Sequence, residues 1–165
     1  MAPNYPSARW QLISALIDLA VTSANMLRRH NTLYNRKLLR DFCRECLAPG
    51  AAVSAGERAA IRAARNFVEL DHHFIAPRNG YRDAHDYWEN CQALGFLPQI
   101  QRPCLLLHAQ DDPMVPIQPY LDYDWENNSW LHPELTRHGG HVGFHAAENR
   151  TFHLDCASKF LAQRL

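Results

Sequence analysis

Nowhere in the 165 residues does a Gly-x-Ser-x-Gly occur. The serines are Ser7, Ser14, Ser23, Ser54, Ser129 and Ser158, and none has glycines two places to either side. The sharp strand-to-helix turn that presents a nucleophilic serine is therefore not encoded here. Net charge is absent as well, because 17 Lys and Arg balance 17 Asp and Glu. That balance excludes a protein-wide field for recruiting nucleic acid or an anionic membrane. The first residues, Met1 to Pro6, lack the basic-then-apolar order of a secretory signal, so export is not expected. The longest apolar stretch, Leu12 to Val21, is broken by Ser14 and Asp18 and falls short of the ~20 residues a membrane crossing needs. Disulfide pairing is disfavoured too. Five cysteines, Cys43, Cys46, Cys91, Cys104 and Cys156, form an odd set without secretory features, which points to free thiols in a reducing, cytoplasmic compartment.

What is present suits a folded domain. Hydrophobic residues make up 47% and charged residues 21%, an ordinary globular balance, and a chain of this size buries roughly 70% of its unfolded surface. The expected ligand is a small molecule or another protein.

Patterning places the elements. Trp10 to Leu19 is apolar and short, consistent with a buried strand, although periodicity alone does not separate that from the start of a helix. From Ser23, Met26, Leu27, His30, Leu33, Tyr34, Leu38, Phe42 and Cys46 recur at three and four residues, with arginines on the other face. That spacing predicts one long amphipathic helix, stopped by Ala48-Pro49-Gly50. Ser54 with Glu57 three residues on forms a capping signal for a second helix to about Phe74. Pro77-Arg78-Asn79-Gly80 reads as a turn, and Asp83 opens a third helix to Leu94, closed by Gly95-Phe96-Leu97-Pro98. Cys104 to Leu107 is a continuous apolar run after Pro103, the pattern of an interior parallel strand. Leu131 to Thr136 is a weaker strand candidate, since Pro133 removes a ladder donor and fits best near an end. Asn149 to Leu165 predicts a closing helix with Phe152, Cys156, Phe160 and Leu161 on one side.

Two loops carry chemistry. Leu105-Leu106-Leu107-His108-Ala109-Gln110-Asp111-Asp112-Pro113 runs a buried strand out into two carboxylates, at the sheet end where open α/β folds build their sites. Asp-Asp-Pro is also ordinary turn chemistry. About thirty residues later, His138-Gly139-Gly140-His141-Val142-Gly143-Phe144 contains paired glycines that let the backbone bend and present His141 from a loop. An acid and a histidine on adjacent strand-end loops are what a triad needs, the carboxylate holding one ring nitrogen while the other takes a proton. A histidine satisfied by local backbone would give the same sequence. His138, His141 and His145, with His132, His108 or Asp112, could alternatively hold zinc, although the glycines remove the rigid helix of the familiar zinc motif. Cys43-x-x-Cys46 lies inside a helical pattern with no second pair, and reads as two thiols on a helix. His72-His73, near a helix end, reads as structural or surface.

The segments Gly80 to Cys91, Phe96 to Ile100, Leu107 to Pro113 and His138 to Phe144 resemble the C-terminal half of the YheT-like α/β-hydrolases, a group of predicted esterases and acylglycerol lipases. The likeness extends from about Leu16, where Asp18-Leu19 and Leu33-Tyr34-Asn35-Arg36 resemble the family's strand exit and first cap helix. It implies an α/β class and a partial α/β-hydrolase fold, the last parallel strands with a helical cap insertion and without the N-terminal half. Residues 1–22 would be a strand and its exit, 23–76 the cap over the active-site mouth, and 77–165 the core with the Asp and His loops. It implies Asp112 as triad acid, with Asp111 as fallback, and His141 as base. The serine and the oxyanion-hole donors are missing from the sequence, so the chain alone is expected to be inert. No cofactor and no metal are expected. The substrate of the complete enzyme would be a small carboxylic ester, favouring an apolar acyl group. The alternative is a non-catalytic α/β fragment that pairs with a separate N-terminal half or with itself through an exposed sheet edge.

Overall fold

A computed structural model describes residues 9–145 and 151–162. They divide into two compact units, residues 9–17 with 96–145 and 151–162, and residues 18–95.

In the first unit Trp10–Ile13 (β1), Cys104–Ala109 (β2) and Leu131–Thr136 (β3) make a parallel sheet in the order β1-β2-β3. All six residues of β2 are buried, as an apolar run with a neighbour on either side requires. The stretch Trp10 to Leu19 is a strand only as far as Ile13. Ser14 turns to φ 49°, its N–H still bonded to Leu107 O at 2.9 Å, and the chain leaves the sheet. Pro133 sits in the body of β3, beside Leu106, and not near an end. The ladder explains why it is tolerated. Cys104 N–H donates to Trp130 O and Gln110 N–H to Thr136 O, so the even-numbered residues of β3 face β2. The missing donor of Pro133 falls on the outer side, where no strand pairs among the described residues. Phe152–Ala162 forms the last helix, with Ala157 and Phe160 buried. Leu161 is 53% exposed and leaves the predicted stripe. The start of that stripe at Asn149, and its end, lie outside the described residues.

In the second unit the single helix expected from Ser23 to Cys46 is two, Leu19–Met26 (α1) and Thr32–Cys46 (α2). Asp18 caps α1, its carboxylate accepting from Val21 N–H at 2.9 Å. The break is held by two buried asparagines, which apolar spacing alone does not register. Asn31 Nδ2–H donates to Asn25 O at 3.1 Å and Asn35 Nδ2–H to Met26 O at 2.9 Å, satisfying carbonyls at the end of α1. The inward face of α2 is accordingly Asn35 and Leu39, while Leu33 is 79% exposed. Ala55–Ala63 (α3) opens on the expected capping box, Glu57 N–H to Ser54 Oγ at 3.2 Å and Ser54 N–H to Glu57 Oε2 at 2.6 Å. It stops at Ala63 and does not run on to Phe74. Asn66 caps a new start, Phe67–Leu70 (α4), which passes through a π turn at Asp71–Ile75 into Ala76–Arg78 (α5). Pro77 and Arg78 are thus helical, and the turn is Asn79 with Gly80 at φ 85°. Asp83 caps Ala84–Cys91 (α6), three residues shorter than expected. Leu39, Ile61, Leu70 and Phe74 form the core of this unit. The five cysteines are all free, and burial pushes the Cys43 and Cys46 thiols up. Among the described residues no helix is long and apolar enough to cross a membrane.

Candidate active site

The carboxyl ends of β2 and β3 bring the two loops together. After Ala109 the chain turns, and Asp112 becomes an anchor: its Oδ1 accepts from Met114 N–H at 2.8 Å and Val115 N–H at 3.0 Å. Its Oδ2 lies 2.9 Å from His141 Nδ1. The carboxyl group is fully buried and the His141 side chain is 28% exposed. A carboxylate only accepts, so the proton between them belongs to His141 Nδ1, and Nε2 carries the free lone pair.

Asp111 does something different. Its Oδ1 accepts from Gly139 N–H at 2.9 Å and Gly140 N–H at 2.8 Å, and its Oδ2 stands 3.2 Å from Nδ1 of His138. The Gly140 N–H, with help from His138 and Gly139, holds the Asp111 carboxyl below its ordinary value against the opposing effect of burial. Adjacent aspartates therefore divide the work, one clamping the backbone of the histidine loop and the other holding its ring. His138 is 87% exposed.

The loop itself is bent against its preference. Gly140 has φ 57°, and so has Val142, a β-branched residue for which this conformation is strained; Phe144 is at φ 42°. Contacts on every side hold the bend. Val142 N–H donates to Ser14 Oγ at 3.2 Å, Phe144 N–H to Gly139 O at 2.9 Å, and Phe152 N–H to Phe144 O at 2.8 Å. Phe144 is 2% exposed and packs with Leu107, Ala109, Ile13 and Phe152. Positive φ at several positions of one short loop, enforced from outside, is typical of sites where a side chain must be aimed.

His138 and His141 turn to different carboxylates, and among the described residues no three His, Cys, Asp or Glu side chains gather as a metal site. His145 lies in an isolated bridge with Thr151, and His132 packs its ring on Phe160. His72 and His73 stack edge to face in the π turn of the other unit.

No family model and no solved structure matches the chain. Among curated proteins, the Escherichia coli protein named "Putative esterase YheT" is 32% identical over 146 residues, covering 81% of this chain and 40% of YheT. The chain belongs to the YheT-like α/β-hydrolases. It corresponds to the C-terminal part of that family. A monoacylglycerol lipase of Saccharomyces cerevisiae is 35% identical over 102 residues, 61% of this chain and 22% of the lipase. An abhydrolase domain-containing protein of Dictyostelium discoideum is 25% identical over 140 residues, 84% of the chain and 34% of that protein. The YheT-like chain thus spans less than half the length of each of these relatives.

Two residues of this YheT-like chain enter the site without a sequence motif to announce them. Ser14 reaches the histidine loop from the end of β1 across 128 positions of sequence. His108, which the sequence suggested only as a metal ligand, is buried beside Asp112. Its burial was legible in the apolar run around it, but its neighbour was not.

Proposed function

We propose that this chain supplies the acid and base of a serine hydrolase acting on carboxylic esters, Asp112 holding and charging His141. The observation that carries the reading is the 2.9 Å bond between Asp112 Oδ2 and His141 Nδ1, at the sheet end where such sites are built. With Nδ1–H engaged, His141 Nε2 is the nitrogen available to take a serine proton and return it to the leaving alcohol, and buried Asp112 stabilises the imidazolium formed in between. The serine and the oxyanion-hole amides would come from sequence outside these 165 residues. In this reading Asp111 is not the acid, because its contacts go to His138 and the glycine amides, and residues 23–76 serve as the cap. The names of the esterase and lipase relatives support an ester substrate.

The test joins this chain to an N-terminal half bearing a Gly-x-Ser-x-Gly and measures ester turnover and labelling by a serine-directed phosphonate. The joined protein is expected to react and the isolated chain to show neither. In the joined protein His141→Ala should remove nearly all turnover, Asp112→Asn should cost about 10⁴-fold or somewhat less, and His138→Ala should be mild. A dead His138 variant with an active His141 variant would overturn the assignment.

A second reading is supported by β1, which pairs on one side only among the described residues and carries Trp10 at 49% exposure. A non-catalytic fragment would pair there with a separate half or a second copy. Light scattering showing a well-folded monomer would exclude self-pairing.

A further inference from the structure

His108 stands fifth in β2, four residues before Asp112. Its side chain is wholly buried and lies flat on the Tyr120 ring, 4.2 Å between centroids at an interplanar angle of 6°. One ring nitrogen has an evident role, since Nε2 lies 3.1 Å from Val115 O. A carbonyl only accepts, so the proton of the neutral ring is on Nε2 and Nδ1 holds a lone pair. That Nδ1 makes no hydrogen bond. It stands 4.0 Å from Asp112 Oδ2, the same oxygen that accepts from His141 Nδ1 at 2.9 Å.

One carboxylate oxygen thus lies between two imidazoles, one bonded and part exposed, the other buried and unbonded. A lone pair turned towards a buried carboxylate offers it nothing and costs solvation, so stability alone does not account for the arrangement. Resting on the reading of Asp112 and His141 as acid and base, we propose that His108 is a positioning residue for the acid. Its neutral ring closes the inner side of Asp112 Oδ2 to any hydrogen-bond donor, so that the charge on that oxygen is spent on His141 alone.

The surroundings keep His108 neutral. The titratable groups that face it are Asp112, His141 and Tyr120. Burial pushes its pKa below the ordinary value, and the charge of Asp112 only partly counters this. Tyr120 is pushed upward by its own burial and contributes no charge. If His108 were protonated, Nδ1–H would face Oδ2 and compete with His141 for it. One carboxylate balances one imidazolium, and the bonded partner is His141, so His108 stays neutral to a lower pH than an ordinary histidine.

The experiment is an NMR titration of the full chain with ¹⁵N- and ¹³C-labelled histidine. In the wild type, His108 should show the Nε2–H form at neutral pH and should protonate only below the ordinary histidine value. A Nδ1–H form at neutral pH, or protonation at or above the ordinary histidine value, would overturn the proposal without any variant. His108→Asn puts an amide donor near the Nδ1 position, facing Oδ2. It should weaken the bond from His141 to Asp112, read as an upfield move of the His141 Nδ1–H proton signal. His108→Gln carries its amide towards Val115 O and should leave the His141 Nδ1–H signal where it is in the wild type. Asp112→Asn should move the His141 Nδ1–H signal upfield whatever His108 does. An effect of Asp112→Asn with none from His108→Asn removes the role of His108 and leaves the acid-base pair standing. No effect from Asp112→Asn removes the pair itself.

Discussion

Gly139 is the tightest point of the histidine loop and gives the sharpest test of how that loop is held. A Cβ built there falls 2.5 and 2.6 Å from Cδ1 and Cε1 of Phe144 and 3.0 Å from Ala109 Cβ. Carbon atoms in contact prefer about 3.5 to 4.0 Å, so the Phe144 ring would have to retreat by about 1 Å. It has nowhere to go, being buried among Leu107, Ala109, Ile13 and Phe152. Overpacking of this kind costs about 1–3 kcal/mol. Because the overlap is with a ring and not the end of a flexible chain, Gly139→Ala should lie near the top of that range, about 2–3 kcal/mol. With a urea slope of about 1.5–2 kcal/mol/M, the unfolding midpoint followed by tryptophan fluorescence should fall by about 1–2 M. Gly140→Ala is the control. Its Cβ meets nothing within 4 Å, and only φ 57° opposes it, at about 1 kcal/mol. In a Phe144→Leu background the Gly139→Ala penalty should shrink by about 1 kcal/mol or more, a coupling that a double-mutant cycle reads directly. Gly139→Ala no worse than Gly140→Ala, or a penalty unchanged by Phe144→Leu, would refute the argument from steric closure.

Ser14→Ala removes the acceptor for Val142 N–H and should cost about 1–2 kcal/mol. Amide exchange should quicken over 140–144, where the backbone is strained, and unaltered exchange there would count against Ser14 as the tether. Asp111→Asn should change the acid limb of stability. The folded Asp111 carboxyl is held below its ordinary 3.8, so its contribution is complete above the unfolded value and is lost as pH falls through the folded one. Wild type should therefore lose more stability than the variant between about pH 4 and 2, and parallel urea midpoints over that range would contradict the clamp.

Much of the sheet was legible because it obeys single-period rules. Cys104 to Leu107 announced an interior strand by its unbroken apolar run, and Ser54 with Glu57 announced a helix start by local chemistry. Asp112 and His141 could each be singled out from the loop that carries them. Which aspartate meets which histidine could not be read from the residues themselves, because Asp111 and Asp112 differ only in the direction their side chains leave the turn; only the family resemblance favoured Asp112 for His141. The break between α1 and α2 was hidden for a related reason. Asn31 and Asn35 are polar residues used inwardly to satisfy backbone carbonyls, whereas apolar spacing treats every asparagine as surface. Leu33 and Leu161 err in the opposite sense, being apolar residues left outside. The bond from Ser14 to Val142 depends on parallel strand order, which places distant positions side by side and leaves no local signature.

Pro133 gives the sheet a direction of growth. On the outer side of β3 the ladder lacks its middle donor, so an added strand would meet a gap there. The outer side of β1 has no such gap: Trp10 N–H and Ser14 N–H point to β2, which turns the amides of Gln11 and Ile13 the other way. Any further strand, whether from the same polypeptide, another copy or a growing aggregate, should therefore enter beside β1. The proline acts as a one-way stop, and replacing it with valine should open a second front for strand addition.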